Sequence, residues 1–398
     1  MTAYGGESNQ QATRRMQEAA NRPRGWRRGL LFCVTPLVLA AIFCGWVFRA
    51  RTHRTLNKEL IFAVKNSDTV TVSQLLARGA DPNIRDVPQP YTSLWQQIKL
   101  SFFPEKGRGE DEFITLLEEA MDPDNCSDCK SGSENVSLVR ALLAAGARVE
   151  DQSFAPMSSV RETPLIWAVS RNQPKTVQLL LDYGANPIAC DDSGQIPLHR
   201  THDLKIAALL FKLGNDVNAV DVEGKTPLMT TLSRDVTLSR FLIARGSDIN
   251  ARAKDGSSAL IMATTRGYDE AAELLLAHGG EVNVCDMTGR TPLHAAVNCD
   301  EPFNHIAQDG NGVDFDPRHN VKLLLEHGAK VDAVDKNGDT PLTSCVAGET
   351  SPDLVEVLLA HGADVDHRNK AGQTPLSIAK KSNALEIVEL LKAAGAKR

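Results

Sequence analysis

Gly289-Arg290-Thr291-Pro292-Leu293-His294-Ala295-Ala296 returns in altered wording along most of the chain. Aligned on its Thr-Pro-Leu core, the other copies are Thr163-Pro164-Leu165, Ile196-Pro197-Leu198-His199, Thr226-Pro227-Leu228, Ser258-Ala259-Leu260, Thr340-Pro341-Leu342 and Thr374-Pro375-Leu376. The proline slots fall 33, 30, 32, 33, 49 and 34 residues apart, a period of about 33 with one long interval. A helical run from Ala271 to His278 ends at Gly279, the residue a chain uses to leave a helix through a left-handed conformation. Asp286-Met287-Thr288-Gly289 is turn chemistry, and Thr291 can cap a new helix whose first position, Pro292, has no N–H to lose. From each helix-ending Gly to the next proline slot the distance is 13 residues in six consecutive cases, Gly184 to Pro197 through Gly362 to Pro375. The connecting fingers are therefore fixed in length. No single unit can bury its own apolar face, so neighbours must stack on it.

A period near 33 carrying T-P-L-H-x-A resembles the ankyrin repeat, over roughly residues 57 to 398. The resemblance implies an all-α solenoid of about nine units, each a pair of antiparallel helices and a β-turn finger. Aromatic residues are only 5% of the chain, which suits a thin core of Leu, Val and Ala. In that family the finger tips and first helices line the concave surface that binds partners. The tip charges here, Asp191, Asp192, Asp221, Glu223, Lys254, Asp255, Asp286, Arg290, Asp335, Lys336 and Lys370, are the candidate contacts that the resemblance implies. Read without it, such charges form a solvated face.

The net charge of −6 hides a split, because residues 1 to 58 hold ten Arg or Lys against two acids. The acidic remainder argues against nucleic acid as a partner. Residues 1–29 are basic and polar with no hydrophobic period, and are expected to be a disordered tail. Residues 30–48 carry no charge, and a helix of that length spans about 28 Å, near the hydrocarbon thickness of a bilayer. We read Leu30 to Phe48 as a transmembrane helix, with 49–59 as its linker to a repeat domain over 60–398. Trp46-Val47-Phe48-Arg49-Ala50-Arg51 offers no signal-peptidase site, Phe43 argues against a lipid anchor at Cys44, and Arg27-Arg28 only weakly resembles a twin-arginine signal. Basic residues on both flanks leave a slight lean to a cytoplasmic N-terminus with the repeats outside.

Leu60, Ala63, Val72, Leu75 and Leu76 carry the pattern up to Gly79, although Lys58-Glu59 replaces Thr-Pro. In the second unit Thr92-Ser93-Leu94-Trp95 fills the slot, and an acidic insertion near 101–134 follows. Phe113, Leu116, Leu117 and Ala120 have helical spacing there, which predicts an amphipathic helix that either roofs the repeats or anchors a partner; roofing is the expectation. A second insertion, 298–320, holds His305, His319 and several acids in no recognisable ligand spacing and reads as a loop. Cys126-Ser127-Asp128-Cys129 lacks a second pair or a nearby His, so it reads as structural thiols before a disulfide or a metal site. Cys190, Cys285, Cys299 and Cys345, one per unit, read as small buried residues. His199 and His294 sit where the family uses His to brace turns, while His278, His327 and His361 precede helix-ending glycines.

No catalytic motif is present, and neither a cofactor, a metal nor a small-molecule substrate is expected. The functional expectation is a membrane-anchored scaffold that binds a protein through its fingers. The alternative is an accessory subunit of a membrane enzyme or transporter contacted through the transmembrane helix, for which Ala41-x-x-x-Gly45 is a weak packing cue.

Overall fold

A computed structural model describes residue 49 and residues 52–84, 115–122, 134–154, 160–233, 235–298, 318–348 and 351–397. Residues 30–48, Phe113, Cys126, Cys129, Cys299 and His305 lie outside them. Among the described residues no helix is long and apolar enough to cross a membrane.

The chain divides into two compact units. The first takes in the described residues up to Ala63 together with Val70–Asp81. Helix α1 (52–65) covers most of the expected linker, because Leu56, Leu60 and Ala63 already recur at helical spacing, with Leu60 and Ala63 buried. Helix α2 (Thr69–Ala77) buries Val72 and Leu75 and ends at Gly79, whose φ is +91°. Two side chains of α1 bind the end of α2: His53 Nδ1 lies 3.0 Å from the Gly79 carbonyl, and Asn57 Oδ1 accepts from the Asp81 N–H at 2.9 Å.

The second unit is a stack of helix pairs. Its inner helices are α3 (Leu116–Met121), α5 (Pro164–Ser170), α7 (Pro197–Arg200), α9 (Pro227–Thr230), α11 (Ala259–Thr265), α13 (Pro292–Val297), α15 (Pro341–Ala347) and α17 (Pro375–Lys381). Paired with them in chain order are α4 (Val136–Ala144), α6 (Pro174–Asp182), α8 (Leu204–Lys212), α10 (Thr237–Ala244), α12 (Asp269–Ala277), α14 (Arg318–Glu326), α16 (Pro352–Ala360) and α18 (Leu385–Ala393). Each inner helix packs on the next inner helix and on its own partner, which is how the units bury one another's apolar faces. The slot leucines Leu165, Leu198, Leu228, Leu260, Leu293, Leu342 and Leu376 are all buried.

The inner helices start where Thr-Pro-Leu predicts, most of them with the predicted cap, although Thr226 and Ile196 make no side-chain capping bond. Thr163, Thr291, Thr340 and Thr374 each accept from the N–H three residues on, at 3.2 to 3.4 Å, with proline at the first helical position. Ser258 caps α11 in the same way at 3.3 Å, although Ala259 replaces the proline. Among the described residues one two-residue ribbon interrupts the helices: β1 (Ser153–Phe154) pairs antiparallel with β2 (Arg161–Glu162), in register Ser153 with Glu162.

Three placements differ from the expectation. Thr92 lies outside the described residues, and it is Thr115, inside the expected insertion, that caps the inner helix α3: its hydroxyl accepts from the Glu118 N–H at 3.3 Å, and the Glu118 carboxylate takes the Thr115 N–H at 3.4 Å. Thr115-Leu116-Leu117-Glu118-Glu119-Ala120 is the repeat signature with Pro and His both replaced. Leu116, Leu117 and Ala120 are buried as the expectation had it, but as an inner helix of the stack and not as a roof over it. The insertion placed at 101–134 thus contains a structural helix. Likewise Arg318, His319 and Asn320, assigned to the loop 298–320, form the first turn of α14, where the buried Asn320 donates to Asp269 Oδ1 at 2.7 Å. Cys345 is buried, whereas Cys190 and Cys285 are exposed.

Candidate partner-binding surface on the fingers

Each regular finger closes on itself in the same way. In the finger at 221 the Asp221 N–H donates to the Lys225 carbonyl at 3.0 Å and the Gly224 N–H donates to the Asp221 carbonyl at 2.9 Å. The same pair of bonds closes the fingers starting at Asp191, Ala253, Asp286, Asp335 and Asn369. Neighbouring fingers are then joined by backbone. The N–H groups of Asp192, Val222, Lys254, Met287, Lys336 and Lys370 donate to the carbonyls of Arg161, Ser193, Glu223, Asp255, Thr288 and Asn337, at 2.7 to 3.3 Å. A hydrogen-bonded ladder therefore runs from β2 to the last finger. Glycine is obligatory in it for two reasons at Gly256: φ is +79°, and a Cβ would sit 2.8 Å from the Met287 nitrogen.

The aspartates that open the fingers are not free tip charges. Asp221 is buried, its Oδ1 accepts the N–H groups of Glu223 and Lys225 at 2.9 and 2.8 Å, and its Oδ2 accepts from Gln195 Nε2 at 2.9 Å. Asp191 does the same for Ser193 and Gln195, and its other oxygen takes the Arg200 guanidinium at 3.0 Å. That guanidinium also holds Glu162 at 2.9 Å, whose carboxyl burial pushes up against the pull of Arg200. Asp286 and Asp335, half-buried, each hold two N–H groups of their own turns. Such carboxylates build the turn by accepting what its backbone leaves unpaired. The exposed candidates are Asp192, Glu223, Lys254, Asp255, Arg290, Lys336 and Lys370. Of these, Glu223 is paired with Lys225, and Asp255 Oδ1 accepts the Ser257 N–H at 2.8 Å. The structure thus brings all the candidates into one row and divides them into supports and exposed groups.

A second brace runs beside the ladder. Asn218 Nδ2 donates to the Gly246 carbonyl at 3.0 Å while its Oδ1 accepts the Asp248 N–H at 2.8 Å, so one amide ties two units together. Asn83, Asn250 and Asn283 do the same toward Gly146, Gly279 and Gly328. Asp332 and Asp366 stand in that slot later and supply only the accepting half. These residues were missed in the sequence, although Asn stands four residues after Gly79, Gly214, Gly246 and Gly279.

The slot histidines brace in both directions. His294 Nδ1 lies 3.2 Å from the Thr291 N–H and Nε2 lies 3.0 Å from the Asp339 carbonyl; His199 does likewise with Ile196 and Lys225. Accepting at Nδ1 while donating at Nε2 requires the neutral ring, and burial holds both histidines below their ordinary 6.5. The unfolded chain therefore binds these protons first, so stability is complete above pH 6.5 and falls as the pH drops below it, by at most about 1.4 kcal/mol per histidine per pH unit. Melting temperatures at pH 7.5 and 5.5 should show that fall, and His199→Gln with His294→Gln should flatten it. His278, His327 and His361 instead donate from Nδ1 to the carbonyl four residues back, at 2.7 to 2.9 Å, closing their helix ends. Among the described residues no group of His, Cys, Asp or Glu is arranged to hold a metal ion.

Comparison with known proteins points the same way. Over 174 residues the chain is 30% identical to palmitoyltransferase ZDHHC13 of Homo sapiens, covering 42% of this chain and 27% of that protein. It is 29% identical to the B-cell lymphoma 3 protein homolog of Mus musculus over 165 residues, 41% of this chain and 30% of that one. Protein PhlB of Serratia liquefaciens is 33% identical over 176 residues, 42% of this chain and 63% of its own length. The matches thus span less than a third of the two mammalian proteins. A family model described as ankyrin repeats (3 copies) matches residues 128–221, 200–286, 228–316 and 305–397. With helix pairs, capped Thr-Pro-Leu turns and a ladder of fingers over the same residues, the chain belongs to the ankyrin repeat family.

Proposed function

We propose that this protein is a membrane-anchored interaction scaffold that holds a partner protein on its finger row. The observation that carries the reading is the backbone ladder. It fixes six fingers relative to one another, so a partner meets a preorganised surface and ordering costs little on binding. The repeats imply a protein-interaction role, and nothing in that role calls for catalysis by this chain. The membrane half of the reading rests on the uncharged residues 30–48 and predicts that the chain stays with membranes through alkaline carbonate washing.

Capture of membrane proteins by the full chain in detergent tests the site. Val222→Asp with Met287→Asp alters two exposed finger side chains, 53% and 61% accessible, without touching the core. The captured protein should be lost in that variant and kept when Lys175→Glu alters the outer helix α6. Capture unaffected by the finger changes but lost when 30–48 is replaced by another apolar helix would favour the accessory-subunit reading instead.

A further inference from the structure

Asp221, Asp286 and Asp335 spend their carboxylates on their own turns, whereas the residue that follows the opening position is exposed in every regular finger. From the third regular finger onward these residues are Lys254, Met287, Lys336 and Lys370. They are equivalent by construction, since each donates its N–H to the preceding finger. The Lys370 ammonium also reaches the Lys336 carbonyl at 2.7 Å, and neither Lys254 nor Lys336 is ion-paired with a described residue. Arg252 and Arg368 flank the same row, with guanidinium groups on the Gly256 and Gly372 carbonyls of their own turns. Within the turn segments 252–257, 285–290, 334–339 and 368–373 the one exposed acid is Asp255, already engaged by its turn, while the exposed Glu281, Asp332 and Asp364 stand earlier in their fingers, nearer the helix ends. A domain that is acidic in sum therefore presents a cationic strip at its fingers.

We infer that the fingers from residue 252 to residue 372 bind an extended acidic segment of a partner protein, with a carboxylate at about every third residue and an apolar side chain over Met287. This rests on the finger row being the binding surface. The spacing follows from the ladder: each finger is two paired arms, and arms lie about 4.8 Å apart, so equivalent residues repeat at about 10 Å. An extended chain covers about 10 Å in three residues. Lys254, Met287, Lys336 and Lys370 thus read as cation, apolar, cation, cation, and the complementary segment is acidic, apolar, acidic, acidic in steps of three. A long polyanion such as nucleic acid or an anionic bilayer extends past this strip onto the acidic remainder of the domain and is repelled there.

The test uses the full chain in detergent and a labelled twelve-residue peptide, Glu-Gly-Ser-Leu-Gly-Ser-Glu-Gly-Ser-Glu-Gly-Ser, with its reversed sequence and a same-composition peptide whose three Glu are consecutive. Fluorescence anisotropy should show the spaced peptide, in one of its two directions, binding at least tenfold tighter than the clustered one. Lys254→Glu, Lys336→Glu and Lys370→Glu together should abolish that preference. The equally charged Lys175→Glu, Lys212→Glu and Lys322→Glu set, on exposed outer-helix positions, should preserve it, with melting curves showing both variants folded. Equal binding of spaced and clustered peptides, equal loss in both variants, or tighter finger-dependent binding of duplex DNA or phosphatidylserine vesicles would overturn the inference. A membrane partner lost with Val222→Asp and Met287→Asp but kept with the finger-lysine reversals would overturn the acidic segment alone. One kept in both variants would overturn the finger site as well.

Discussion

Leu116→Ala should lower the stability of the folded chain by about 2–5 kcal/mol, among the largest effects of any single truncation outside the Thr-Pro-Leu copies. Leu116 is 1% exposed on α3, which packs between its partner α4 and the next inner helix α5, and the buried Gln173 amide donates to the Met121 carbonyl at the end of the same helix at 2.8 Å. Truncation leaves a cavity where three helices meet, and the capping pair of Thr115 and Glu118 keeps the helix from shifting to fill it. Denaturant titration of the full chain in detergent measures the change. An unshifted midpoint would mean that α3 is not a member of the stack.

Asp221→Ala should cost about 3 kcal/mol, although the residue belongs to a row of charges on finger tips. It removes two bonds to backbone N–H groups within the turn and one to Gln195 of the preceding finger, each worth about 1 kcal/mol. Lys254→Glu, on the neighbouring finger, should stay within about 0.5 kcal/mol of the parent, because its ammonium stands in water and only its backbone joins the ladder. Thermal melts of the two variants side by side separate support from contact. Equal shifts would show that the aspartates and lysines share one role.

How much of this was legible in the sequence follows from which residues act through the backbone they sit on. Thr291, Pro292 and Gly289 announce a capped helix and a tight turn by chemistry that is local, and every copy that keeps those residues was placed. Thr115 went unread because Leu116 and Glu118 occupy the Pro and His slots, yet Glu118 performs the capping that the histidine performs elsewhere. The inward turn of Asp191 and Asp221 was not legible. A charged residue in a turn reads as solvated until the next finger is seen to cover it. The Asn83, Asn218, Asn250 and Asn283 brace was present as a spacing but carries meaning only when the following unit's glycine carbonyl is in reach. Arg318 to Asn320 read as part of a loop, whereas they lie in α14, where the buried Asn320 is held by Asp269, a residue 51 positions earlier in the chain.

Hydrogen exchange on the full chain, alone and with the protein it captures from membranes, tests the central claim most directly. Added protection is expected in the finger segments 190–195, 220–225, 252–257, 285–290, 334–339 and 368–373, with the outer helices α6, α8 and α12 unchanged. Protection on those outer helices, with finger exchange unaltered by the partner, would contradict it.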